Sequence, residues 1–218
     1  MSLVHRVRPP KAAARRPPLA ILIHGLGADE HDLFGLAPWL DPRLVVVSVR
    51  APREAVPMGY SWFDIDFSQD PPRLDLGHVI QSRELLVRFA GEAARTHGAD
   101  PSRIFLVGFS QGSTLAMACA MAHPRAFRGV VAHSGRACVR AQPTDVHPDV
   151  VGFPVLVQHG SADPVVPVSF GHEAREVLSG LGMDVSFGEY PIGHEISQQS
   201  LADLTGWLSA RIDESEAA

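Results

Sequence analysis

The stretch Ile104 to Ser113, IFLVGFSQGS, runs from an uninterrupted apolar segment into a serine set between two glycines. Ile104 to Val107 has the continuity of a strand covered on both faces. From Gly112 to Ala122 the composition is helix-forming, and His123-Pro124 stops it. A serine on a sharp strand-to-helix turn has its hydroxyl pushed out at the edge of the sheet. Glycines flank it because a Cβ there would clash with neighbouring elements. The helix N-terminus adds oriented N–H groups that favour developing negative charge. Ser110 therefore reads as a nucleophile rather than as a serine that happens to fall in a turn.

The same alternation extends outward. Leu19 to Ile23, Leu44 to Val49, Val130 to Ala132 and Val155 to Val157 are further continuous apolar runs, and Val185 to Tyr190 alternates apolar with polar. Helical patterns cover Asp75 to Ala94, Ser169 to Ser179 and Ser200 to Ile212. Strands separated by helices need right-handed crossovers, which predicts a mostly parallel central sheet with helices on both faces. Active sites in such sheets gather at the carboxyl ends of the strands. The polar, Gly-rich exits His24-Gly25-Leu26-Gly27, His133-Ser134-Gly135 and His159 to Asp163 fall there together with Ser110. Two less regular stretches, Pro52 to Leu74 and Arg136 to Gly152, are candidates to overhang the site.

Serine at its own pKa is a poor nucleophile, so a base must reach it and an acid must orient that base. With a nucleophile elbow the partners follow in the order Ser, Asp or Glu, His. Asp163 lies just past the Val155 to Val157 strand, and His194 lies just past Val185 to Tyr190 with no histidine after it. The competing acids Asp145, Asp149 and Asp184 read as solvated turn residues. His5, His31, His78, His97, His123 and His147 read as surface or satisfied core residues, and His172 falls inside a helical pattern. Acyl transfer also needs donors aimed at an oxyanion: the backbone N–H after the nucleophile and one from the loop after an early strand. Gln111 and Leu26 occupy those places. His24 reads as a structural prop.

His24-Gly25-Leu26-Gly27-Ala28-Asp29, Gly108 to Gly112, His159-Gly160 through Asp163-Pro164-Val165-Val166-Pro167, and Gly193-His194-Glu195-Ile196 resemble the phospholipase/carboxylesterase family of α/β-hydrolases, which includes acyl-protein thioesterases. Trp62-Phe63-Asp64 also resembles that family's segment after the second parallel strand. The resemblance runs from Leu19 to Leu208. It implies an α/β-hydrolase fold, with Ser110 as nucleophile, Asp163 as orienting acid, His194 as base and then acid, and Leu26 with Gln111 as oxyanion donors; with most of the 218 residues used by sheet and helices, no large cap domain is expected. The chain departs from the family pattern at Ser113, where a second glycine is common, and at His133, where Leu-Ser-Gly is common. The second departure puts an extra imidazole near the predicted site.

The expected activity is hydrolysis of carboxylic esters or thioesters of small or linear acyl groups through an acyl-serine, with no cofactor. A peptidase or acyltransferase on the same fold, or a catalytically silent binding protein, are the alternatives. Met58, Tyr60, Trp62 and Phe63 are candidates for an apolar wall, with Trp62 and Phe63 the substrate-binding pair, although aromatic residues also serve as core.

A chain of 218 residues that is 45% hydrophobic can bury a large single core. Residues 1–18 read as an N-terminal arm or edge strand and residues 213–218 as an acidic tail. There is no internal repeat. A net charge of -5 argues against nucleic acid as a partner, because phosphate neutralisation needs clustered Lys and Arg. The early basic run Arg6, Arg8, Lys11, Arg15 and Arg16 is mixed with prolines and lacks aromatic residues. No secretory h-region and no window of membrane-spanning length is present, so a soluble cytoplasmic protein without stable membrane insertion is expected. Cys119 and Cys138 then read as free thiols. A homodimer is compatible with all of this. No metal is expected: His24, His31, His133 and His159 lack close ligand pairing. The alternation Asp64, Asp66, Ser68, Asp70 has Gln69 where a calcium loop needs glycine and Asp75 where it needs glutamate.

Overall fold

The structure, a computed structural model, describes residues 3–12, 15–138 and 146–217. Its strands are β1 (His5–Arg8), β2 (Leu19–Ile23), β3 (Val45–Val49), β4 (Arg53–Glu54), β5 (Tyr60–Ser61), β6 (Ile65–Asp66), β7 (Arg73–Leu74), β8 (Ile104–Phe109), β9 (Gly129–His133), β10 (Pro154–Gly160) and β11 (Asp184–Tyr190). The helices are α1 (Leu76–Thr96), α2 (Gln111–Ala122), α3 (Ser169–Gly180) and α4 (Gln198–Ala217).

Seven strands form one sheet in the order β1-β3-β2-β8-β9-β10-β11. Every pairing is parallel except that of β1 with β3. Successive side chains on a strand point to opposite faces, so an apolar run buried on both sides feeds two cores. Ile21 and Ile23 join α1, α2 and α3 on one face. Ala20 and Leu22 join Leu204, Leu208 and Ile212 of α4, with Leu33 and Leu40, on the other. Helix α2 is buried along almost its whole length, as expected of a helix apolar all round. The chain reverses direction across the sheet between β2 and β8, and the loops leaving those two strands carry Leu26 and Ser110. Crevices at such switch points are where α/β sheets bind ligands.

Residues 1–18 were expected as an arm or an edge strand, and His5–Arg8 forms the antiparallel edge strand. Residues 213–217 do not form a separate tail. Helix α4 continues to Ala217, and Asp213 accepts a hydrogen bond from Arg43 at 2.6 Å, so the acidic residues extend the helix instead of leaving it. Pro52 to Leu74 is organised as two short hairpins, β4 with β5 and β6 with β7. Of Arg136 to Gly152, residues 139–145, including Asp145, lie outside the described residues. No described helix is long and apolar enough to cross a membrane.

Arg8 explains part of the basic N-terminal run. Its guanidinium donates to the carbonyls of Ala37, Leu40, Asp41 and Leu44 at 3.0 to 3.2 Å, and so fastens the connection between β2 and β3 to the edge strand. Half-buried carbonyls that lose a charged donor are left unsatisfied. Arg8→Met is expected to cost about 2 kcal/mol, seen as a melting temperature lower by roughly 4–8 °C. Activity per folded molecule should be unchanged; a melting temperature equal to wild type would show that this clamp carries no stability.

Candidate active site

Ser110 adopts φ 54° and ψ −116°, a conformation that side-chain-bearing residues avoid and that persists only where the surroundings enforce it. Close backbone packing supplies the enforcement. A Cβ on Gly108 would lie 2.3 Å from Gly112 O, and one on Gly112 would lie 2.0 Å from Ile23 O. Backbone approaching that closely admits only glycine. The Ser110 N–H donates to His133 O at 2.8 Å, which ties the turn to the end of β9. Ser113 is fully buried and its Oγ has no partner among the described residues. Gly135 makes the room, since a Cβ there would fall 2.5 Å from that Oγ.

The loops that carry Asp163 and His194 are bound to each other before their side chains meet. Ser161 N donates to Tyr190 O at 2.7 Å and Ala162 N to Ile192 O at 3.0 Å, while Gly160 lets Gly193 approach its backbone. The Asp163 carboxylate is fully buried. It accepts the Val165 and Val166 N–H groups at 2.9 Å on Oδ1 and His194 Nδ1–H at 2.7 Å on Oδ2. Burial pushes this carboxyl up, but the hydrogen bonds from His194, Val166 and Val165 outweigh it and hold it below the usual carboxylate range. With Nδ1 donating to a carboxylate, the neutral imidazole presents Nε2 as acceptor, 3.0 Å from Ser110 Oγ. Three side chains 84 and 31 positions apart in sequence thus form one hydrogen-bonded chain.

The loop after β2 lies against Ser110: a Cβ on Gly25 would be 3.2 Å from Ser110 Cβ. Gly27 N donates to Tyr60 O and Tyr60 N to Ala28 O, both at 2.9 Å. Glu30, buried, receives Arg50 at 2.5 and 2.7 Å, and that pair holds the base of the loop. The Leu26 N–H has no partner among the described residues, and the Gln111 N–H opens α2, where amides lack intrahelical acceptors. One unspent donor thus follows Ser110 in sequence, and another lies in the loop packed against it through Gly25.

The substrate-binding assignment of Trp62 and Phe63 needs correction. Both are fully buried, at 0% and 1% exposure. Trp62 Nε1 donates to His24 O at 3.1 Å. Gln111 reads the backbone of this segment like a strand partner: its Oε1 accepts from Trp62 N at 2.7 Å and its Nε2 donates to Phe63 O at 2.7 Å. Ser82 Oγ caps Trp62 O. These aromatics support the elbow from below and cannot touch a substrate. The Gln111 side chain was missed for the same reason, since its partners lie about fifty residues away. Phe109 was also missed: its ring lies 4.8 Å from that of His194 and 5.7 Å from that of His133, wedging both imidazoles.

The remaining histidines divide by environment. His31 pairs with Asp29, His123 with Glu84 and His172 with Glu189, away from Ser110. His24, His133 and His159 surround the site as buried props. His24 Nδ1 donates to Gly25 O at 2.7 Å and its Nε2 accepts from Ala51 N at 3.0 Å. His133 contacts Ser134 Oγ and Ser200 Oγ, and His159 Nε2 donates to Val166 O at 2.8 Å, behind Asp163. Asp149 pairs with Arg125, and exposed Asp184 lies 3.8 Å from Arg211.

The model of the phospholipase/carboxylesterase family matches residues 6–212. The chain belongs to that family. A probable carboxylesterase of Oryza sativa subsp. japonica is 30% identical over 94% of this chain and 82% of its own. An acyl-protein thioesterase 1 of Candida albicans is 28% identical over 94% and 96%. The crystal structure of esterase PE8 superposes with a TM-score of 0.84 at 26% identity, covering 96% of this chain and 99% of its own. The fold is that of an α/β-hydrolase, and the chain is an enzyme of the carboxylesterase type.

Burial lowers the proton affinity of His24, His97 and His159, and that of His133 to about 3. An unfolded chain takes up protons on these rings below its ordinary pKa of about 6.5, while the folded one does not. The stability they contribute is therefore complete above pH 6.5 and is lost as pH falls through that value toward each folded pKa. Each excluded proton costs about 1.4 kcal/mol per pH unit. Thermal melts between pH 7.5 and 4.5 should fall increasingly steeply below pH 6.5, and His133→Gln should flatten the slope; a level profile would contradict the neutral shell.

Proposed function

We propose that this protein is a serine hydrolase that cleaves carboxylic esters or thioesters through an acyl-serine. The observation that carries the reading is the continuous chain Ser110 Oγ to His194 Nε2 at 3.0 Å and His194 Nδ1 to Asp163 Oδ2 at 2.7 Å. The naming of relatives as carboxylesterase and acyl-protein thioesterase supports the substrate class.

In this mechanism His194 Nε2 takes the Ser110 proton as Oγ bonds to the carbonyl carbon. Asp163 holds the ring so that Nε2 faces the hydroxyl, and it stabilises the imidazolium that forms. The oxyanion settles on the N–H groups of Leu26 and Gln111, donors already oriented before the charge appears. Collapse breaks the bond to oxygen or sulfur, and the departing alcohol or thiol takes the proton from His194. Water then enters by the same base-catalysed route and releases the acid. A reducing, cytoplasmic setting fits Cys119 and Cys138, which are both buried and unpaired.

Ser110→Ala and His194→Ala should each lower kcat for a p-nitrophenyl ester by roughly 10⁴-fold or more, and the double variant should cost little beyond either, because the pair acts as a unit. A fluorophosphonate should label the wild type and not Ser110→Ala. Additive losses would refute a shared mechanism, and amide cleavage without ester turnover would favour a peptidase.

A further inference from the structure

Beyond Ser134 the chain leads from the nucleophile into a cleft of about 400 Å³. Its walls are the turn from Gln69 to Leu74, the residues after Gly135, and Phe170 with Glu173 at the start of α3. Gly135 lies between the two: the residue after it lines the cleft, and a Cβ on it would lie 2.9 Å from the Ser110 backbone carbonyl. Arg136 follows directly. Its N–H donates to Thr114 Oγ1 at 3.3 Å, its Nη1 donates to Pro72 O at 2.7 Å, and its guanidinium carbon stands 4.9 Å from the centre of the Phe170 ring.

Arg136 is half-buried, yet it forms no ion pair with a carboxylate among the described residues. Asp70 and Glu173, both exposed on the rim, do not pair with it. The unpaired Arg136 nitrogens are not among the buried, unpartnered atoms, so the fork is reachable from solvent. Among the described residues, one carbonyl and one aromatic face hold this guanidinium and no other partner takes its remaining donors, in a chain whose net charge is -5. A planar fork in that state suits a carboxylate brought by a ligand.

We propose that Arg136 is the anion-binding residue of the substrate pocket, and that the ester or thioester carries a carboxylate at the far end of its acyl part. This rests on the serine hydrolase reading and narrows its substrate class. The acyl side follows from the geometry of proton delivery. The leaving group must lie against His194, and no lining residue of the cleft comes from the loop after β11 that presents it. Arg136 lines the cleft and Ser110 does not, so methylenes must separate the carboxylate from the reacting carbonyl, and a glutaric half ester is the probe of that spacing.

The experiment compares mono-p-nitrophenyl glutarate with p-nitrophenyl pentanoate, which has the same acyl length without the charge. Wild type should show at least a tenfold higher kcat/KM for the half ester. Arg136→Gln should lower that ratio by ten- to hundredfold, the range of a charge-assisted hydrogen bond, and Arg136→Lys should restore part of it. A readout on the wild type alone avoids any folding defect in the variants: free glutarate should inhibit pentanoate turnover competitively, and glutaramide should not. Equal turnover of the two esters by wild type, or an unchanged ratio in folded Arg136→Gln, would overturn the inference. So would a preference for 4-carboxyphenyl pentanoate, in which the charge sits on the leaving group. Turnover of neither ester would overturn the hydrolase reading itself, whereas turnover of the neutral ester without preference would overturn this inference alone.

Discussion

The site depends on one close approach: the first turn of α2 packs backbone to backbone against the ends of β2 and β8. Where Gly112 meets Ile23 O and Gly108 meets Gly112 O there is no space for a methyl group. That contact turns the chain so sharply that Ser110 must take a positive φ, which lifts its hydroxyl above the sheet edge. It also aims the helix N-terminus at the same point. Strain at Ser110 and the orientation of the Gln111 donor are therefore two results of a single packing constraint. The anchor from Ser110 N to His133 O and the Gln111 side chain clamped to Trp62 and Phe63 keep the turn from relaxing.

How much of this could be read in advance follows the range of the forces involved. The continuous apolar runs predicted the central strands to within three residues at each end, because burial on both faces leaves no other pattern. The order of Ser110, Asp163 and His194 along the chain was legible because each must leave a strand at its carboxyl end. Trp62 and Phe63 were misassigned because a large aromatic side chain beside a site suits a wall and a core equally well. Only the packed structure, in which Gln111 and Ser82 bind the backbone between them, separates the two. The acidic end was read as a tail on charge alone, yet helix α4 carries it onward.

Ser113 and His133, the two departures from the family pattern, are absorbed in different ways. Ser113 is accommodated by a neighbour without a side chain, Gly135, and leaves its hydroxyl unpartnered among the described residues. His133 is accommodated by losing its charge: burial first, then the nearby His159 and His194, push its proton affinity down to about 3. It therefore adds an imidazole to the neighbourhood without adding a cation.

That neutrality bears on the chemistry. Asp163 is a buried anion, and a cationic His133 or His159 beside it would compete with His194 for its field. His159 Nε2 lies 3.7 Å from Asp163 Oδ2 but donates its hydrogen to Val166 O, and burial holds its affinity for a second proton down. The carboxylate's strongest hydrogen-bond partner is consequently His194 Nδ1, at 2.7 Å. In the proposed mechanism the His194 imidazolium would meet an anion that no neighbouring histidine has neutralised. The same burial that keeps His133 and His159 uncharged thus leaves the Asp163 charge to His194, as the proposed serine attack requires.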